Sequence, residues 1–163
     1  MPERTEKIGT PILDLMQRGL NDAGLRISSG RAVLIALASA VELFAVSWAV
    51  KSLLQLHPPE SATNAFKLAV VSAFPVFEEF IFRGLLIGFI SAGIPDSPKK
   101  KETFLLFGFS TFLFAAAHMD STPALFAIKL LQGAVYALFF LRTRSLLPPV
   151  ICHISVNLLS LLL

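Results

Sequence analysis

Glu78 and Glu79 are adjacent carboxylates, Arg83 follows four residues after the second, and all three sit in a predominantly apolar run from Phe66 to Ile90. An ionisable side chain at the centre of a bilayer helix costs roughly 2.5 to 3.5 kcal/mol on insertion scales, so three together mark a functional site. Residues four apart share a helix face, whereas neighbours point about 100° away from each other. Glu79 and Arg83 are therefore expected to pair and to brace the helix. Glu78 is left facing a different neighbour without a local cation, which makes it the better candidate for a general base. The bland reading of the same three residues is a buried polar network that only holds a bundle together.

Two further polar positions interrupt apolar sequence. His118 ends the run Phe114-Ala115-Ala116-Ala117-His118, and His153 and Asn157 stand four apart, so that both project from one face of a later helix, with Ser160 extending the stripe. A lone membrane histidine usually serves as an interhelical hydrogen bonder, and His118, near a helix end, fits an interfacial position. Two histidines, an asparagine and a carboxylate on three separate helices are hard to bury unless they converge on a wet cavity. Hydrolysis of a peptide bond beside a bilayer needs a positioned water, a base to deprotonate it and donors aimed at the developing oxyanion. These residue types supply all three.

The elements that position them are helices in lipid. With 55% hydrophobic and 15% charged residues and a mean hydropathy of +0.71 over 163 residues, the chain is far more apolar than a soluble domain, in which about a quarter of residues are charged. The formal charge of +3 is small, and the basic residues form no stripe interleaved with aromatics, which argues against nucleic acid as a partner. The single cysteine, Cys152, forms no internal disulfide and belongs to no paired metal motif. A spanning helix takes about 20 apolar residues, and that window gives five spans near 32–56, 66–92, 104–119, 124–141 and 146–163. Breaks at His57-Pro58-Pro59-Glu60, at Gly93 to Pro98, at Asp120 to Pro123 and at Arg142-Thr143-Arg144 separate them. The expected architecture is all-α: one polytopic bundle over residues 32–163, preceded by a cytoplasmic segment over residues 1–31. In that segment Asp14, Arg18, Asp22 and Arg26 recur every four residues while Ile12, Leu13, Met16 and Leu20 take other faces, the pattern of an amphipathic surface helix. A solvated extension is the competing reading, and a secretory signal ending at Ala38-Ser39-Ala40 is disfavoured by the polar residues before the apolar run and the apolar sequence after it. Gly84 and Gly88 have small-xxx-small spacing, which favours close helix approach just beyond the glutamates.

Taken in order and in apolar context, Glu78-Glu79-x-x-x-Arg83, Phe114-x-x-x-His118 and His153-x-x-x-Asn157 resemble the signature motifs of the CPBP intramembrane proteases, the CAAX prenyl protease and bacteriocin-processing family also called Abi. The resemblance spans about Ala73 to the carboxyl end. It implies an intramembrane endopeptidase in which Glu78, aided by His118, activates water while His153 and Asn157 stabilise the oxyanion, with Glu79 and Arg83 supporting. The expected substrate is a membrane-associated protein or peptide precursor. Relatives carry further spans before the first motif, which implies thin cavity walls or completion by a second copy, a homo-oligomer. Nothing in the sequence identifies a prenyl pocket.

Three rival readings stand beside this one. The expected enzyme needs no cofactor, but Glu78, His118 and His153 are also a ligand set for zinc with a fourth position for water. No helix offers two histidines at the usual zincin spacing, which ranks metal second. Cys152 as a nucleophile lies about 100° from His153 on the same helix and lacks an identified base, so an apolar filler is the simpler account. A non-catalytic bacteriocin-immunity or scaffold protein is kept open by Glu42 and Lys129, two charges within spans that the motifs leave unused.

Charge asymmetry sets the orientation. Arg4, Lys7, Arg18, Arg26 and Arg31 precede the first span, Lys99, Lys100 and Lys101 follow the second, and Arg142 and Arg144 follow the fourth, against Lys51 and Lys67 on the other side. A multi-pass protein of a bacterial plasma membrane with its amino end inside and its carboxyl end outside is expected. Reporters active on one side only, fused to each end, should give that pattern, and the reverse pattern would overturn it.

Overall fold

Ser29 opens the first helix by accepting a hydrogen bond from Ala32 N through its side chain (3.3 Å), the usual way a short hydroxyl satisfies an orphan helix amide. The computed structural model describes residues 28–55, 65–92, 100–118 and 122–162, and among these the chain forms five helices and no strand. Helix α1 is Gly30–Leu53. Helix α2 runs as Ala65–Glu79, widens into a π-helical stretch over Phe80–Phe89 and closes with the turn Ile90–Ala92. Helices α3, α4 and α5 are Lys100–Ala117, Pro123–Thr143 and Leu147–Leu162. These elements match the five spans read from the sequence to within a few residues at each end. The amino-terminal segment with its amphipathic pattern, and the breaks at His57 to Glu60 and Gly93 to Pro98, lie outside the described residues.

Helix α1 shows why lipid is the matching solvent. Its inward face is built from Ala36, Ala40, Leu43 and Ser47, whereas Leu34, Val41 and Trp48, seven residues apart, stand exposed on the opposite face. Small residues inside and large apolar ones outside invert the soluble pattern and suit close helix approach within a bilayer. Helices α1 and α4 are each long and apolar enough to cross a membrane. Large apolar side chains are exposed on the other helices as well, Phe104 and Leu105 on α3 among them.

Packing follows the chain's short connections. Thr122 caps α4 by accepting from Leu125 N (3.3 Å), with Pro123 in the first position, where its missing N–H costs nothing. At the other end Arg144 takes a left-handed conformation (φ 51°) and donates its N–H to Phe140 O (2.7 Å), which ends α4 and folds the chain back. Ser145 Oγ then accepts from Leu147 N, and Pro148 and Pro149 occupy the first turn of α5. The result is an antiparallel α4–α5 hairpin. Helix α1 lies along α5, α3 packs on α4 and on the π-helical part of α2, and the first half of α2 faces α5. Between α1 and α4, Gln132 donates to Ser47 Oγ (3.2 Å), which in turn donates to Leu43 O (2.7 Å), so both polar side chains are buried with partners.

The π-helical stretch breaks the backbone periodicity just after the paired glutamates. Pro75, buried inside α2, contributes no N–H to the helix ladder, and the widened turns begin five residues later. The Ser110 hydroxyl of α3 donates to Phe82 O (2.7 Å), giving a carbonyl of the widened stretch an interhelical donor. Gly84 and Gly88 are both buried there, in line with their small-xxx-small spacing.

A close approach occurs at Gly133 of α4. A Cβ added there would stand 2.9 Å from the Phe114 ring, 3.3 Å from Thr111 O and 3.5 Å from Arg83 Nη2. Gly133→Ala is therefore expected to push α4 away from α3 and to cost about 1 to 3 kcal/mol, the usual range for overpacking. Thermal unfolding in detergent checks this, and an unchanged midpoint would contradict it.

Candidate active site

The interior of the bundle is organised around two ionic groups on one helix. Arg83 places Nε 3.2 Å from Glu79 Oε2 and donates from Nη1 to Glu79 Oε1 (3.3 Å), with both side chains fully buried. This is the pair expected from the four-residue spacing. Two contacts hold the guanidinium from outside α2. Its Nη2 donates to Gly133 O of α4 (2.8 Å), and its Cζ lies 4.6 Å from the centre of the Phe114 ring of α3. A buried charge survives only when its partners nearly replace water, and here an anion, a carbonyl and an aromatic face do so.

Glu79 also reaches α5. His153 Nδ1 lies 2.9 Å from Glu79 Oε1, so the imidazole donates from Nδ1 and its Nε2 turns the other way, where Glu78 Oε2 stands at 3.5 Å. The sequence reading sent the two glutamates to different neighbours. The structure instead sets them on either side of one ring, because the angle between adjacent helical residues is about the angle needed to straddle a facing histidine. The environments of the two carboxylates differ: Glu79 is fully buried, whereas the Glu78 side chain is 29% exposed. At 3.5 Å the Glu78 contact is longer than an ordinary hydrogen bond.

His118 closes the site from the turn just after α3. Its Nδ1 lies 2.8 Å from Phe114 O and donates there, which frees Nε2, and its ring sits 4.6 Å from that of Phe114. One ligating atom each from Glu78, His118 and His153 falls within 4.8 Å of the others, so three helices bring together three of the four residues expected to do chemistry. The fourth, Asn157, is half-buried one helical turn beyond His153 on α5. Glu42 is exposed on α1, away from the buried face, while Lys129 is half-buried on α4. Cys152 is buried in the apolar cluster with Ala36, Ala40 and Val156, the filler position anticipated for it.

Phe114, which enters the sequence analysis only as the first residue of its motif, and Gly133 and Tyr136, which no motif contains, also build the site. Phe114 presents its ring to Phe82, Tyr136, His118 and His153 at once. Gly133 supplies both the carbonyl for Arg83 and the space for Phe114. Tyr136 stacks on His153 with centroids 4.8 Å apart and planes 22° apart. A signal for the last was present, since Tyr136 is the chain's single tyrosine and stands in an apolar helix four residues after Gln132.

A family model described as type II CAAX prenyl endopeptidase Rce1-like matches residues 60–159. The chain belongs to that family. The match runs over α2 to α5, so it covers every residue of the three motifs and agrees with the resemblance drawn from them. No curated protein and no solved structure matches the chain. Membership of the Rce1-like family, together with the apolar helices, makes this a membrane protein and a hydrolase of the CAAX-protease type.

The Arg83 interactions give a direct test. Arg83→Met leaves the Glu79 carboxylate buried without its cation and Gly133 O without its donor, and removal of one partner of a buried pair costs about 3 to 5 kcal/mol. Folded protein should fall sharply on extraction in detergent. Adding Glu79→Gln to Arg83→Met should recover part of that loss, because it removes the stranded charge. A double variant no better than the single one would contradict this account of the pair.

Proposed function

We propose that the protein is a multi-pass endopeptidase of a bacterial plasma membrane that cleaves a membrane-associated protein or peptide by a glutamate-activated water, without an acyl-enzyme. The observation that carries the reading is the convergence of Glu78, His118 and His153, from three helices, to within 4.8 Å inside the bundle. Glu78 is the base. It is the only one of the paired carboxylates with an exposed side, and Arg83 does not occupy it. His118, whose Nδ1 is committed to Phe114 O, offers Nε2 to the same water and helps to orient it. The water attacks the scissile carbonyl carbon as its proton passes to Glu78, and the carbonyl oxygen becomes the oxyanion. His153 Nε2 and the Asn157 amide are the donors for that oxygen. His153 already donates from Nδ1 to Glu79, so donating from Nε2 as well requires its imidazolium form. Collapse of the tetrahedral intermediate returns the Glu78 proton to the leaving amine.

The same geometry favours a second reading, with zinc. Each histidine has its Nδ1 held by an acceptor, Glu79 Oε1 or Phe114 O, the arrangement that orients metal-binding imidazoles. Glu78, His118 and His153 would hold the ion, and it would polarise the carbonyl or acidify a bound water. The metal-free mechanism is ranked first because no helix offers two histidines at the usual zincin spacing.

Two measurements separate the readings. Peptide termini in the membrane and secreted fractions of cells with wild type, Glu78→Gln or a deletion should include new ends with wild type alone, with cleavage lowered at least about 100-fold by the substitution. Identical termini in all three, at normal expression, would reject proteolysis. Purified active protein should keep its activity through chelation. Stoichiometric zinc that leaves together with activity would place the metal reading first.

A further inference from the structure

Tyr136 is the largest buried group near the site to which the mechanism gives no task. Its side chain is fully buried, its ring lies nearly parallel to that of His153, its edge meets Phe114 (5.7 Å), and Arg83 Cζ stands 5.6 Å from its centre. Its hydroxyl makes no hydrogen bond with the described residues. A buried hydroxyl without a partner lowers stability, and a phenylalanine would fill the same volume without that cost.

Resting on the proteolytic reading above, we propose that Tyr136 is a positioning residue for the reaction: its ring, stacked on the imidazole, fixes the plane of His153. Stacking limits tilt of the imidazole, and the Nδ1 contact limits rotation about its own plane. Together they keep Nε2 directed at the reacting groups. Tyr136 touches neither Glu78 nor substrate in this role. Its effect reaches the chemistry through His153 and belongs in kcat, while substrate affinity is untouched.

The test uses the full-length protein in detergent or vesicles, with a cleaved substrate found through the terminus comparison, and four forms: wild type, Glu78→Gln, Tyr136→Phe and Tyr136→Leu. Tyr136→Phe keeps the stack and loses only the unpartnered hydroxyl. It should melt at or above the wild-type temperature and hold kcat within about twofold of wild type. Tyr136→Leu loses the stack and should lower kcat about 100-fold with KM within twofold, so that Tyr136→Phe stands as the conservative rescue. Equal kcat in the Phe and Leu variants overturns the role of the stack. A rise in KM that accounts for the loss in Tyr136→Leu rejects positioning altogether. Cleavage by Glu78→Gln at the wild-type rate would instead sink the underlying mechanism, whatever the tyrosine variants do.

Discussion

The buried contact between Glu79 and Arg83 is the constraint on which the rest of the interior depends. Each charge would be prohibitive alone in a bundle this apolar. Once paired on one face of α2, they still carry more hydrogen-bonding capacity than one contact satisfies, and that surplus draws in the neighbouring helices. The guanidinium takes a carbonyl from α4 and an aromatic face from α3, and the carboxylate takes a ring nitrogen from α5. Specific helix association in a membrane cannot rely on hydrophobic burial, since lipid tails are as apolar as the helices. Here directional polar contacts radiate from one pair to three helices, and small residues such as Gly133 let the backbones come near enough to make them.

Apolar packing and the polar centre share residues. Phe114 belongs to the same buried cluster as Ala36, Ala40, Leu43, Tyr136, Cys152 and Val156, yet its ring faces the guanidinium and both histidines. The site thus has aromatic walls and only one partly exposed carboxylate. Glu78 and His118 are half-buried, while Glu79, Arg83 and His153 are shut in behind the aromatic rings.

The sequence made much of this legible because its signals were local. The Glu79–Arg83 pair follows from spacing within one helix, and the span ends follow from apolar length together with Pro, Gly and charged breaks. Other features depend on how one helix meets another. No pattern within α2 could reveal that Glu78 and Glu79 flank the same imidazole, since that is fixed by the position of α5. The π-helical stretch from Phe80 to Phe89 leaves no mark in a pattern taken at the regular α-helical period. Gly133 read as one more small residue in an apolar helix, and its importance comes from Phe114, Thr111 and Arg83, which belong to other segments. Tyr136 and Gln132 were visible as polar exceptions, but their partners, His153 and Ser47, are remote in the chain.

The chain order of these contacts governs how the protein can be made. Because Glu79 and Arg83 neutralise each other within a single helix, α2 can leave the translocation channel with its charges already compensated, before any later helix exists. His153 arrives on α5, the last of the five helices to be synthesised, delivered by the tight hairpin at Arg144. A nascent chain therefore passes through a stage in which the two glutamates are seated but the imidazole between them is missing. Biosynthesis itself then acts as a safety catch, keeping a peptide-cleaving centre unassembled until the bundle that confines it has formed.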